Sequence, residues 1–288
     1  MMNEIIVPAP LAGRRIVVTR ARDAASALAV RLDVLGATTL ACPTIAIAPP
    51  ADRGPLDAAL ARLADYDWVV FTSANGVRAF SDRLGVADAT RALPPTLRLA
   101  AVGQATADLV RVLLRPPDLV PQDARAAGLV AALGATCGQR HLLPQSAIAR
   151  AELAEGLRAA GATVEAVTAY RTVPVASAAL GEVARLLRAG ALDAITFTSP
   201  STVAGFLGGL AGVGVAPGEL ARLPRRPALC CIGPTTAAMT RERGLPVDAI
   251  ADEPTDEGLV TALSTCLAGR PLADHDLIAD HEKGRVRC

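Results

Sequence analysis

DYDWVVFTSANGV (residues 65–77) returns as ALDAITFTSPSTV (191–203), an offset of 126 residues. Three more blocks return in the same order. LAAVGQATADL (99–109) reappears as LCCIGPTTAAM (229–239), and GLVAAL (128–133) as GLVTAL (258–263), both at an offset of 130. RRIVVTRARDAASALAVRLDVLGAT (14–38) matches QRHLLPQSAIARAELAEGLRAAGAT (139–163) at an offset of 125. A period this long marks duplicated domains, not a solenoid of small units. Within the blocks, Trp68–Phe71 is an unbroken apolar run, as expected of a strand buried on both faces of a parallel sheet. Ile16–Thr19 is a short β-branched run. Asp23 then opens a helical pattern with Leu28, Leu32 and Leu35, closed by Gly36. Ala100–Val102 runs into Gly103, and the second copy offers Ile195–Phe197 and Cys230–Ile232 as strands. Strands alternating with helices predict right-handed βαβ units and doubly wound parallel sheets.

Two segments break the pattern. CPTIAIAPP (42–50) and TAYRTVPV (168–175) are β-branched and punctuated by proline, without helical period. Proline places such runs at exposed or edge strands, and the two read as extended connectors able to pair with one another. The first domain would then be interrupted, leaving near Thr44 and returning near Pro174. The repeat alone equally permits a plain cut near residue 138. Residues 270–288 fall outside the repeat and are expected to form a flexible tail.

Composition bounds the chemistry. The chain has 288 residues, enough for about two domains with cores of their own. Lys+Arg is 29 against Asp+Glu 28, a balance that excludes a broad basic field for nucleic acid. Aromatic residues are 2%, too few for base-stacking platforms or a membrane-interface belt. No secretory leader and no membrane-spanning run is expected. The six cysteines form no CxxC and sit near no histidine at ligand spacing, so they read as reduced thiols of a cytoplasmic protein with no metal site. No GxGxxG, GxxxxGK[ST] or GxSxG occurs, so a nucleotide site and a nucleophile elbow lack support. Of three histidines, His141 lies in a strand and reads as structural, while His275 and His281 fall in the tail.

The remaining signal is where hydroxyls and glycines fall. Thr72-Ser73 and Thr198-Ser199 end strands before helices, and Gly103–Thr106 and Gly233–Thr236 repeat G-x-x-T after strands. Ligands of open α/β sheets bind at the carboxyl ends of the strands, where helix starts offer unpaired N–H groups to an anion. Simple N-capping is the ordinary alternative for each hydroxyl taken singly. Two such rims facing each other would form a cleft for an anionic ligand. Tyr170 lies in the second connector, and its phenol can donate a proton or hydrogen bond. Arg20 ends the first strand and Arg171 follows Tyr170, and both could pair with carboxylates.

FTSANGV with FTSPSTV, AVGQAT with CIGPTTA, GLPVDAIADEPTDEGLV, and VTAYRTVP together resemble the uroporphyrinogen-III synthase family over about residues 14–268. That resemblance implies two flavodoxin-like α/β domains joined by a two-stranded β connector. One would comprise residues 1–45 plus 174–288, the other 50–170, with connector strands at 44–50 and 169–175. It implies a hydro-lyase of tetrapyrrole and heme biosynthesis. Hydroxymethylbilane would be cyclised to uroporphyrinogen III, with inversion of the last pyrrole ring and loss of water. It further implies no cofactor, a monomer, and at most transient contact with the preceding deaminase. By resemblance Tyr170 assists departure of the hydroxyl. By the same resemblance Thr72, Ser73, Gly103, Ser199, Ser201, Thr235 and Thr236 would bind substrate, and Arg20 and Gly233, read from the residues themselves, are expected to join them. Ser146 joins them from LPQSA (143–147), which stands where relatives often carry a glycine-rich turn. The competing reading is a cytosolic two-lobed module that binds an anionic small molecule or regulates.

Overall fold

The computed structural model describes residues 9–20, 22–87 and 93–273. The chain begins with β1 (Arg15–Val18), α1 (Arg22–Val34), β2 (Thr38–Ala41) and β3 (Ile45–Ala48). It continues through α2 (Gly54–Ala61), a 3-10 turn, β4 (Trp68–Phe71), α3 (Ala74–Ala87), β5 (Arg98–Ala101) and α4 (Gln104–Leu113). Then come α5 (Ala126–Leu133), β6 (Arg140–Ser146), α6 (Glu152–Ala159) and β7 (Thr163–Pro174). The last stretch holds α7 (Leu180–Arg188), β8 (Ala194–Phe197), α8 (Pro200–Gly212), α9 (Pro217–Arg222), β9 (Ala228–Cys231), α10 (Pro234–Glu242), β10 (Ala249–Ile250) and α11 (Asp256–Ala268).

These elements divide into two units. Unit 1 comprises Met1–Ala46 and Val173–Cys288, and unit 2 comprises Ile47–Thr172. The chain passes from one to the other within β3 and returns within β7, and these two strands are neighbours in the sheet order.

Unit 1 holds a sheet of order β2-β1-β8-β9-β10, parallel throughout. This is the 2-1-3-4-5 order of the flavodoxin-like doubly wound fold. Alternate residues of each strand feed opposite faces. Val17, Ile195, Phe197, Leu229 and Cys231 meet α7, α8, α9 and α10. Ile16, Val18, Ala194, Ala228 and Cys230 meet α1 and α11. With helices on both faces, β8 and β9 are buried along their whole length, which is why they read as unbroken apolar runs.

Unit 2 runs β7-β6-β4-β5, again parallel, and a parallel bridge from Ala100 to Leu119 extends its far edge. Taking β6 as the first strand gives the same 2-1-3-4 order, entered at a different point of the repeat. Val69, Phe71, Leu99 and Leu142 pack under α2, α3 and α4, and Trp68, Val70, Ala100 and Leu143 under α5 and α6. The duplication reaches single contacts. Phe71 meets Phe80 edge-to-face at 5.4 Å, and 126 residues on Phe197 meets Phe206 at 5.6 Å. Gly36 and Gly161, matching positions after α1 and α6, both stand at positive φ, +87° and +90°. A side chain is strained there, so glycine ends both helices.

Four aspartates tie the amino ends of the strands together. Asp67 Oδ2 accepts the Arg140 N–H at 2.8 Å, and its counterpart Asp193 accepts the Arg15 N–H at 2.9 Å. Asp118 accepts the Leu99 N–H at 2.7 Å, and its counterpart Asp248 the Leu229 N–H at 2.8 Å. Burial opposes the charge on Asp248. Arg226, the Leu229 N–H and Arg270 outweigh it and hold the carboxyl below its usual range.

The start of the expected tail is anchored. Arg14 donates to the carbonyls of Leu267, Arg270 and Pro271, and the Ala273 N–H donates to Asp193 Oδ1 at 2.9 Å. Arg14 itself pairs with Asp193 at 2.9 Å, both side chains being buried. A buried guanidinium needs acceptors, and the end of α11 with the residues just past it supplies three carbonyls. The rest of the tail, 274–288, lies outside the described residues, and with it His275 and His281.

Candidate functional site

At the carboxyl edge of the unit 2 sheet, β4 ends in Thr72-Ser73, both half-buried. Ser73 starts α3. Its Oγ accepts the Gly76 N–H at 3.1 Å and its carbonyl the Val77 N–H at 3.2 Å, so the hydroxyl caps the helix. The same Oγ lies 3.0 Å from the hydroxyl of Tyr170. Tyr170 sits late in β7, 8% exposed, paired in register with Ser146 at the end of β6. A register irregularity between Gln145 and Ser146 locally disturbs that ladder, and the Ile148 N–H then donates to Ser146 Oγ at 3.3 Å. Gly103 follows β5 in extended backbone and starts α4, with the Thr106 N–H on its carbonyl at 3.1 Å. Ser73, Tyr170 and Ser146 are thus brought to one edge by three strands, and Thr72 and Gly103 stand just past the ends of β4 and β5. The chain's other tyrosine, Tyr66, is placed differently. It donates to Glu165 at 2.7 Å, and burial together with that carboxylate pushes its phenol up. Arg171 is exposed and donates to the Pro49 carbonyl at 2.9 Å.

At the matching edge of unit 1, Ser199 caps α8 in a closed box. The Thr202 N–H donates to Ser199 Oγ at 3.2 Å, and the Ser199 N–H donates to Thr202 Oγ1 at 3.1 Å. Ser201 is half-buried in the first turn of that helix. Gly233 is buried and begins α10. Thr235 is exposed while Thr236 turns inward at 3% exposure. Arg20, after β1, does not stand free. It pairs with Asp256 in the first turn of α11 at 2.7 Å, both side chains partly exposed. Neither Asp256 nor the role of Thr202 follows from the sequence reading. The S-x-x-T spacing with proline at the first helical position was the available signal for the second.

Helix starts on both units are opened by small residues. A Cβ at Gly128 would lie 2.1 Å from the Asp123 carbonyl oxygen, and one at Gly258 would lie 2.3 Å from that of Glu253. Only glycine lets the loop fold back on the first turn of α5 and of α11.

Among the described residues, histidine has no part at either edge. His141 is fully buried, and neither ring nitrogen has a hydrogen-bond partner. It packs beside Trp68, with ring centroids 6.5 Å apart. Burial lowers its pKa, Asp67 opposing and Arg98 assisting. Among the described residues no group of three or more His, Cys, Asp or Glu side chains could hold a metal ion. Cys42, Cys137, Cys230, Cys231 and Cys266 are free thiols. No described helix is long and apolar enough to cross a membrane.

Comparison with known proteins gives the family. The uroporphyrinogen-III synthase HemD family profile matches residues 26–261. A uroporphyrinogen-III synthase of Synechococcus elongatus is 33% identical over 257 residues, 88% of this chain and 96% of that protein. One of Chlorobaculum parvum is 28% identical over 246 residues, covering 83% and 93%. In fold, the chain is similar to a crystal structure of a mutant uroporphyrinogen III synthase from the extremely thermophilic bacterium Thermus thermophilus. The TM-score is 0.59 at 20% identity, over 88% of this chain and 98% of that one. With its doubled sheet, its hydroxyl-bearing strand ends and this match across most of its length, the chain belongs to the uroporphyrinogen-III synthase family.

Proposed function

We propose that the protein is a lyase that converts hydroxymethylbilane to uroporphyrinogen III with release of water. The substrate is a flexible octacarboxylate, and its ring closure changes no oxidation state, so the reaction needs no redox group. Loss of the hydroxyl leaves an electrophile that closes without help to the uninverted isomer I. The protein's task is to hold the chain so that the substituted carbon of the last ring attacks first. A spiro intermediate forms, fragments and recloses with that ring inverted. Positioning alone is worth several kcal/mol in such a step. It calls for amide and hydroxyl donors distributed over a surface more than for a strong base.

The residues proposed to bind are those of the two strand-end edges: Thr72, Ser73, Gly103 and Ser146 of unit 2, and Arg20, Ser199, Ser201, Gly233, Thr235 and Thr236 of unit 1. Arg20 reaches a substrate carboxylate by exchanging Asp256 for it. Tyr170 donates to the departing hydroxyl. The observation that carries the chemistry is the 3.0 Å approach of Tyr170 to Ser73, where two hydroxyls meet at the end of the sheet. The enzyme is further proposed to act as a cytoplasmic monomer that takes the unstable bilane from the preceding deaminase by transient contact.

The test is to generate hydroxymethylbilane in the presence of the protein, oxidise the products and separate porphyrin isomers. Isomer III in excess over the spontaneous background supports the reading. Isomer I alone makes the protein a binding or regulatory module.

A further inference from the structure

A serine oxygen has one proton to give and two lone pairs to fill. One lone pair of Ser73 Oγ is taken by the Gly76 N–H at 3.1 Å. That N–H belongs to the first turn of α3, a helix of 14 residues whose start carries a positive dipole end. An N–H donated into the oxygen polarises its own O–H and makes it the better donor. Among the described residues, the other hydrogen-bond neighbour of Ser73 Oγ is the Tyr170 hydroxyl at 3.0 Å, on a side chain only 8% exposed.

We infer that Ser73 is a positioning residue for Tyr170: it donates to the phenol oxygen and so turns the Tyr170 proton toward the leaving hydroxyl of the substrate. The inference rests on the cyclisation reading above. In the step, the C–O bond of the hydroxymethyl group breaks, and the oxygen leaves as water carrying the Tyr170 proton. The phenolate left behind is held by the Ser73 hydroxyl and the positive start of α3. The proton lost by the free α-carbon of the last ring, when the macrocycle closes, restores Tyr170. One water is released in all, and nothing is oxidised.

Gly76 sets this distance. A Cβ there would stand 2.8 Å from the Pro144 carbonyl oxygen and 3.4 Å from Ser73 Oγ. Glycine therefore lets the first turn of α3 settle against the end of β6, beside the strand that carries Tyr170.

The test is steady-state kinetics of isomer III formation by the full-length enzyme, with thermal unfolding of each variant alongside. Ser73→Ala is expected to lower kcat about tenfold with KM within about twofold, the loss of one hydrogen bond to a developing charge. Ser73→Thr, which keeps the hydroxyl and the cap, retains most of kcat. Adding Ser73→Ala to Tyr170→Phe costs no further turnover, because the serine acts through the phenol. Gly76→Ala lowers kcat in the wild-type background but not in Tyr170→Phe. Losses that multiply in the double variant overturn the inference, as does a raised KM at unchanged kcat, which would leave Ser73 only the substrate contact proposed above. A wild-type protein that yields isomer I alone overturns the functional reading itself, a result distinct from either.

Discussion

Ser73 and Ser199 stand at matching places, 126 residues apart, and each accepts an N–H from the residue three further on, at 3.1 and 3.2 Å. In unit 1 that residue is Thr202, whose hydroxyl returns a bond to the serine N–H and closes the cap. In unit 2 it is Gly76, which returns nothing. The position matching Tyr170, 125 residues earlier, is Ile45. The two edges are built on one plan, and two side chains separate them. One edge keeps its serine within a capping box, while the other sets its serine against a phenol. On the proposed reaction the scaffold would supply binding groups twice, and departure of the hydroxyl would fall to unit 2 alone.

The comparison can be broken first at the shared core. Phe80→Ala and Phe206→Ala each remove one ring of an edge-to-face pair and should each cost about 3–5 kcal/mol. Trp68, the single tryptophan, belongs to unit 2. Its fluorescence in a denaturant titration should follow the Phe80 loss and not that of Phe206. Equal shifts from both variants would mean that the units do not unfold separately. Next come Gly128→Ala and Gly258→Ala, which force a Cβ onto a carbonyl oxygen. Each should lower the stability of its own unit by about 1–3 kcal/mol, read by the same titration and by calorimetry. A neutral result at either would show that its loop yields freely.

The smallest effect separates the units by pH. His141 is buried and neutral in unit 2, with a folded pKa lowered from 6.5. Above about that pH both states hold neutral imidazole and no penalty exists. As the pH falls below it, the unfolded chain binds a proton that the folded one refuses, so stability declines until the folded pKa is reached. Unit 2 should therefore soften as the pH drops below about 6.5, and His141→Phe should flatten that slope. A slope unchanged by the substitution would assign it to other groups.

Most of the architecture was legible in the sequence because parallel strands and their crossover helices leave period and punctuation behind. The unbroken runs at Trp68–Phe71 and Ile195–Phe197, the glycine after α1 and the repeat offsets all became observed elements. What escaped were partners. Tyr170 and Ser73 are 97 residues apart and Arg20 and Asp256 are 236 apart. Periodicity says which face a residue takes and nothing about who meets it at a strand end. Nothing local in the sequence shows that Asp67 and Asp193, just before strands, bind neighbouring strands together through their carboxylates. The anchoring of residues 270–273 depends on a buried arginine near the other end of the chain, which no local pattern announces.

On the proposed reaction, positioning decides which ring closes, and Tyr170 only hastens loss of the hydroxyl. The direct measurement is the isomer ratio made by Tyr170→Phe in a single turnover, with enzyme in excess over hydroxymethylbilane. Closure is expected to slow about 10²-fold, with isomer III still the main enzyme-bound product. Unslowed closure, or a bound product that switches to isomer I, would contradict it.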